Sequence, residues 1–260
     1  MTAFLAITRV TIRQTLRPKR AIGLGLLSIS AALTYLLTAL GSAASSGSAE
    51  YNQQQAFDIF LGITVGTFMN IIVPVVTLII ATSVLGDERR DNTMSFLVLR
   101  PISRFTIGMA KVAAAFLESF ALTGLGAVVL GIAAAVRINT FDYLVPLLVG
   151  TAVATAAYSA IFVPLGYLLK RATLIGLTYV FIWENGIGGA VPAVAGLSPW
   201  RIGVSAIAGM APDQFLRDLP QFAIGSITPG AGGAVVKALV LIVLASAAVA
   251  TILQRRDLAT

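Results

Sequence analysis

The residues best placed for chemistry in this chain are carboxylates. The sequence contains no histidine and no cysteine, which removes imidazole acid–base steps, thiolate nucleophiles, disulfides and Cys/His zinc sites. Two glutamates stand in apolar surroundings: Glu118, about twelve residues into the run Thr106–Val136, and Glu184, about twelve into Ala172–Ala195. At 1.5 Å per helical residue, each would lie roughly 18 Å from the start of its run. For a membrane span that is close to mid-bilayer. A carboxylate there is costly to insert, so it faces a partner, a cavity or a transport pathway. For Glu118 the structural reading is a hydrogen bond to another helix, with Ser119 or Thr123 beside it. Glu184 follows Phe181-Ile182-Trp183 and precedes Asn185-Gly186-Ile187-Gly188-Gly189. Glycines there permit close helix packing or a helix break. Glu184, Glu118 and Trp183 are the candidates for an intramembrane pathway or gate, with packing as the alternative.

Nucleotide chemistry has no obvious home. No Gly-x-x-x-x-Gly-Lys-Ser/Thr phosphate loop occurs. The nearest glycine cluster, Pro229-Gly230-Ala231-Gly232-Gly233 ahead of Lys237, has the wrong spacing and reads as a flexible entry to the last apolar run.

The elements that must position these residues are membrane helices. Hydrophobic residues make up 57% of the 260 and charged residues only 11%, with a mean hydropathy of +0.91. A soluble domain carries about 25% charged residues and must still cover its own surface, so lipid is the solvent that fits. Six runs reach spanning length: Ala21–Leu40, Phe60–Leu85, Thr106–Val136, Tyr143–Leu169, Ala172–Ala195 and Gly233–Leu253. They are too long for barrel strands, which have about ten residues of alternating polarity. The first is also longer than the 7–15 residue core of a signal peptide. It therefore reads as a retained span. The fold class is all-α and polytopic.

Charge placement orients the bundle. Fourteen Arg and Lys residues fall in the first tail, the loop after the second run and start of the third, the Lys170-Arg171 turn and the end of the chain. Only Arg137, Arg201, Arg217 and Lys237 fall on the other side. The positive-inside rule then gives six spans with both termini cytoplasmic. The formal charge of +7 is accounted for by orientation and calls for no nucleic acid. In residues 1–20, Arg9, Arg13 and Arg17 recur every fourth position on one helical face. A helix lying on the anionic inner leaflet and a plain topogenic tail both fit. Residues 196–232 are too polar for a full span and carry Pro199, Pro212, Pro220 and Pro229. They read as one or two short external helices with Trp200 as an interfacial anchor. Pro74 and Asn70, and Pro146 and Pro164, are expected to bend their spans.

The remaining informative stretch is the cytoplasmic segment 86–105. A charged turn, Asp87-Glu88-Arg89-Arg90-Asp91, leads to Met94, Leu97 and Val98 on one face, and Pro101 closes the helix. An apolar patch rimmed by charge suggests docking to another protein. The order Glu88, Thr93, Leu97, Leu99, Pro101, Ile102, Ser103, Arg104, with Lys111 entering the next span, resembles the loop between the second and third spans of ABC-2 type permeases. Asn92 stands where that family usually has glycine, and Asn tolerates the same backbone. The layout of basic tail, six spans and long external segment also resembles the family.

That resemblance implies a single transmembrane domain over 1–260 in a prokaryotic cytoplasmic membrane. It implies a coupling helix formed by Asp87, Glu88, Arg89, Thr93, Met94, Leu97, Val98, Pro101, Ser103 and Arg104. The helix would seat in one of two cytoplasmic ATPase subunits that bind ATP and Mg, while this chain, itself no enzyme, pairs with a second permease chain and exports a substrate. A secondary transporter or channel lacks support from paired intramembrane charges or a visible inverted repeat. A membrane-embedded enzyme would have only two lone glutamates. A membrane assembly or maturation factor is a further alternative.

Overall fold

The computed structural model describes residues 3–45, 53–90, 102–187, 196, 198–219 and 230–257, and these contain helices and no strand. Helix α1 spans Ala3–Thr15 and α2 spans Pro18–Ser45. Pro18 opens α2, where a missing N–H costs nothing, and it holds the preceding residue out of the helical region. One continuous helical run, α3 (Gln53–Arg90), follows. Then come α4 (Arg104–Ile138) and α5 (Leu144–Leu168). A helical segment over 172–187, α6, is α-helical to Thr178 and π-helical over Tyr179–Ile187. The chain closes with the short α7 (Pro199–Ala208) and α8 (Asp213–Arg217) and the long α9 (Ala231–Asp257).

Five of these helices are long and apolar enough to cross a membrane: α2, α3, α4, α5 and α9. They coincide with five of the six expected runs. The sixth run, Ala172–Ala195, is helical as far as Ile187, and its remainder lies outside the described residues.

Burial follows the apolar pattern of each helix. Helix α5 is apolar right round and sits at the centre, packed on α3, α4, α7 and α9. By contrast α2 and α9 each bury one face. On α9 the buried residues are Ala234, Ala238, Ala245, Ser246 and Val249, while Val236, Leu239, Val240, Val243 and Leu244 stay exposed at helical spacing. An apolar exposed stripe is what lipid solvates. Small residues set the helix separations: a Cβ on Gly126 of α4 would lie 2.5 Å from the Ser28 carbonyl oxygen of α2.

The second span carries a π-helical stretch next to its proline. Pro74 has no N–H, and the bonding register immediately before it slips by one residue over Ile63–Ile72, with the Val73 N–H donating to the Phe68 carbonyl. At the α4–α5 turn, Asn139 takes the left-handed conformation (φ 61°) that ends α4.

Candidate functional site

The stretch 86–105 is seen at its two ends. Thr93, Met94, Leu97, Val98 and Pro101 lie outside the described residues. Asp87, Glu88 and Arg89 form the last turn of α3, and Ser103 and Arg104 begin α4. Ser103 is the N-cap: its Oγ accepts from the Thr106 N–H at 3.1 Å. Arg89 donates to the Tyr167 carbonyl at 2.5 Å, and its guanidinium lies 5.8 Å from the Tyr167 ring centroid. Arg90 pairs with Asp87.

Glu88 turns inward. Its carboxylate is bonded by the Lys111 ammonium, and Lys111 also donates to Thr11 Oγ1 at 2.9 Å. The Lys111 side chain is 1% exposed. This ion pair therefore joins the end of α3 to the first turns of α4, the helices on either side of residues 91–101 in the chain, and Thr11 ties α1 to the same point. Glu88 is placed to hold the loop's base; its carboxylate faces the bundle.

Glu118 continues the same seam two turns further along α4. Thr15 Oγ1 donates to its carboxylate, and Thr8, Thr11 and Thr15 form the face of α1 buried on α4. Arg9 and Arg13 are exposed away from that contact. Helix α1 is thus a docked element with a hydroxyl face inward, more than a basic tail. The partner of Glu118 is Thr15, and Ser119 and Thr123 play no part in that bond; Thr123 bonds instead to the Ser119 carbonyl and to Thr155.

Because α4 has 35 residues, it is about 52 Å long and outruns a hydrocarbon core of about 30 Å. Glu118 meets the end of α1 through Thr15.

Glu184 sits in a separate cluster and shares no partner with Glu118. It lies on the π-helical part of α6 and is buried, 3% exposed. Tyr158 of α5 donates to it at 3.0 Å, Ser198 donates to its other oxygen, and the Trp200 backbone N–H bonds to it as well. Ser198 is also the N-cap of α7, accepting from the Arg201 N–H at 3.3 Å. The carboxylate therefore meets the positive end of α7, a stabilising placement for an anion. Arg201, 3% exposed, stacks over the Trp200 ring at 5.2 Å and adds its charge to the same cluster.

Helix α7 differs from its expected place. Every residue of Pro199–Ala208 is buried, against α5, α9 and the π-helical part of α3. Trp200 is 2% exposed, and its indole N–H donates to the Val65 carbonyl at 3.1 Å. It fixes one helix to another within the bundle, so the reading of it as an interfacial anchor is corrected. Tyr158, Ser198, Arg201 and Thr15 were not anticipated from sequence. Of these, only Ser198-Pro199 carries a local signal, an N-cap residue followed by proline at the first helical position.

Residues 17–184 match the sequence model of a family described as ABC-2 family transporter protein. The chain belongs to that family. No curated protein matches it. The match runs from Arg17, just before α2, to Glu184, so it covers both ends of the 86–105 stretch and the Glu88, Lys111 and Glu118 side of the polar seam, while α1 and α7 to α9 lie outside it. This is an ABC transporter permease, a multi-pass membrane protein.

The Glu184 cluster gives a prediction for the permease. All three of its hydrogen-bonding neighbours donate, so Glu184→Gln brings an amide donor against donors and removes the charge facing α7. Stability should fall by about 1–3 kcal/mol, and Tyr158→Phe, which deletes one donor, should cost about 1 kcal/mol. Unfolding in mixed detergent micelles reads both. A Gln variant as stable as the wild type would mean that the carboxylate does not hold α7.

Proposed function

We propose that this permease is the membrane half of an ATP-driven exporter. Segment 86–105 is the coupling element, seated in one of two cytoplasmic ATPase subunits that bind ATP and Mg, and a second permease chain completes the transporter in a prokaryotic cytoplasmic membrane. On this reading the chain crosses six times, and the concentration of basic residues assigns both termini and this segment to the cytoplasmic side. The observation that carries the reading is the Glu88–Lys111–Thr11 tie. It clamps the base of the segment to α4 and α1, so a push on the segment is delivered to three helices at once. The apolar face of Met94, Leu97 and Val98 makes the docking contact, whereas Glu88 positions it. Glu184, Trp183 and Glu118 belong to the moving parts of the pathway, with Glu184 gating through its hold on α7.

Purification tests the coupling directly. The wild-type permease, expressed from its native locus with a tag and solubilised in mild detergent, should carry an ATPase chain. Leu97→Asp combined with Val98→Asp should lower the recovered ATPase by at least about tenfold, the effect of losing roughly 1.4 kcal/mol or more at an apolar contact, while the permease stays folded. Undiminished recovery, or a wild-type preparation with no nucleotide-binding chain, would remove the exporter reading.

A further inference from the structure

We propose that the cleft between the cytoplasmic ends of α2, α3, α5 and α6 binds the phosphate headgroup of an anionic phospholipid from the inner leaflet. The cavity has a volume of about 960 Å³, and six cations line it: Arg17, Arg20, Arg89, Arg90, Lys170 and Arg171. One carboxylate, Asp87, lines it too, and Arg90 already occupies that. Neutral groups hold two more of the cations. Arg20 donates to Ser83 Oγ at 3.0 Å and to the Ile79 carbonyl, and Arg89 donates to the Tyr167 carbonyl. Those bonds fix the guanidinium groups without cancelling their charge. Among the described residues, Arg17, Lys170 and Arg171 pair with no carboxylate. Five cationic charges thus converge on one cavity, and an anion is the ligand that relieves them.

The source of the anion follows from position and lining. Every cation stands at a helix end or turn: Arg17 and Arg20 around the start of α2, Arg89 and Arg90 at the end of α3, and Lys170 and Arg171 between α5 and α6. That is headgroup level on the side rich in basic residues. Ile79, Leu169 and Leu174 line the same cavity, and Leu174 and Ile175 lead away along α6 at 61% and 46% exposure. An acyl chain can follow that apolar surface, which a free anion has no use for. Basic pockets between spans on the cytoplasmic side suit acidic lipid headgroups. The site does not depend on the ATPase coupling proposed above, and it is tested without nucleotide.

The full-length permease is purified in neutral detergent, equilibrated with mixtures of phosphatidylglycerol and phosphatidylcholine, and its retained lipid counted by native mass spectrometry. Phosphatidylglycerol should be retained in preference. At about fivefold per surface cation, Lys170→Ala with Arg171→Ala should weaken that retention about ten- to thirtyfold and leave phosphatidylcholine unchanged. Arg17→Ala, in a different segment, should cost about fivefold alone and guards against a local folding defect at the α5–α6 turn. Arg9→Ala with Arg13→Ala removes two exposed cations outside the cavity and should change nothing. Equal retention of the two lipids, cavity variants that bind like the wild type, or an equal loss in the Arg9/Arg13 variant would each overturn the site. Displacement of phosphatidylglycerol by millimolar inorganic phosphate would assign the cleft to a free anion and overturn the lipid.

Discussion

Lys111→Met should lower the stability of the permease by about 3–5 kcal/mol, the usual result of leaving one member of a buried ion pair without its partner. Lys111 is almost wholly enclosed, and the Glu88 side chain it pairs with is 12% exposed. Water therefore reaches the orphaned carboxylate poorly. The same substitution strips Thr11 of its ammonium donor, so the α1–α4 contact weakens with the α3–α4 contact. A second substitution separates charge from shape. Replacing the pair together, Glu88→Leu with Lys111→Met, leaves no unpaired charge and should recover at least half of the lost stability, since well-packed apolar replacements of buried pairs are often neutral or better. The coupling energy from the four proteins of this cycle is the quantity to measure, by unfolding in mixed micelles. Two results would sink the argument: a single variant within about 0.5 kcal/mol of the wild type, or a double variant no better than the single. The double variant carries a functional expectation as well. Its bundle should fold, yet the base of segment 86–105 loses a directional tie, so ATPase recovery should persist while transport falls.

Much of this architecture is legible in the sequence because lipid imposes one simple rule. Runs of about 20 apolar residues become spans, and five of the six runs are matched by long helices with the sixth helical as far as it is described. The family too is legible, from the succession of residue types between positions 86 and 105. The contacts inside the bundle are a different matter. Glu118 finds Thr15, 103 positions away, and Glu184 finds Tyr158 and Ser198, 26 and 14 positions away. Lone hydroxyls carry no periodic mark of such pairing. Depth is not legible for a related reason: hydropathy reports that α4 is apolar, but its 35 residues exceed the bilayer, so its length gives no origin from which to count. The burial of helix α7 is not legible because prolines and polar neighbours mark only a break in the apolar run, and nothing in one dimension says what packs over it. Its ten residues are in fact enclosed on all sides, with Glu184 and Ser198 supplying the polar partners its N-terminus would otherwise seek from water.

A close backbone approach between α3 and α5 predicts the other large effect. A Cβ on Gly166 of α5 would lie 2.4 Å from the Thr82 carbonyl oxygen and 2.7 Å from its Cα. Those are backbone atoms of α3, so no rotamer change can relieve the clash, and the two helices must move apart. Several contacts are set by that spacing. Thr82 Oγ1 reaches Thr173 at 3.2 Å, Arg89 reaches the Tyr167 carbonyl next along the chain, and Gly86 has room for a Cβ only at 3.3 Å from the Gly166 oxygen. Gly→Ala in a helix interior ordinarily gains about 1 kcal/mol from backbone propensity. At Gly166 it should instead cost about 3 kcal/mol or more, the upper end of overpacking penalties, and Gly166→Leu should leave little folded protein in the membrane. Gly23 of α2 is the control, because a Cβ there meets nothing within 4 Å; Gly23→Ala should be neutral or slightly stabilising. If the two alanine variants unfold at the same detergent composition, α5 does not rest on α3 at this distance. Loss at Gly166 alone would show that the α3–α5 contact, which also frames the basic cleft, is fixed by the absence of a single methyl group.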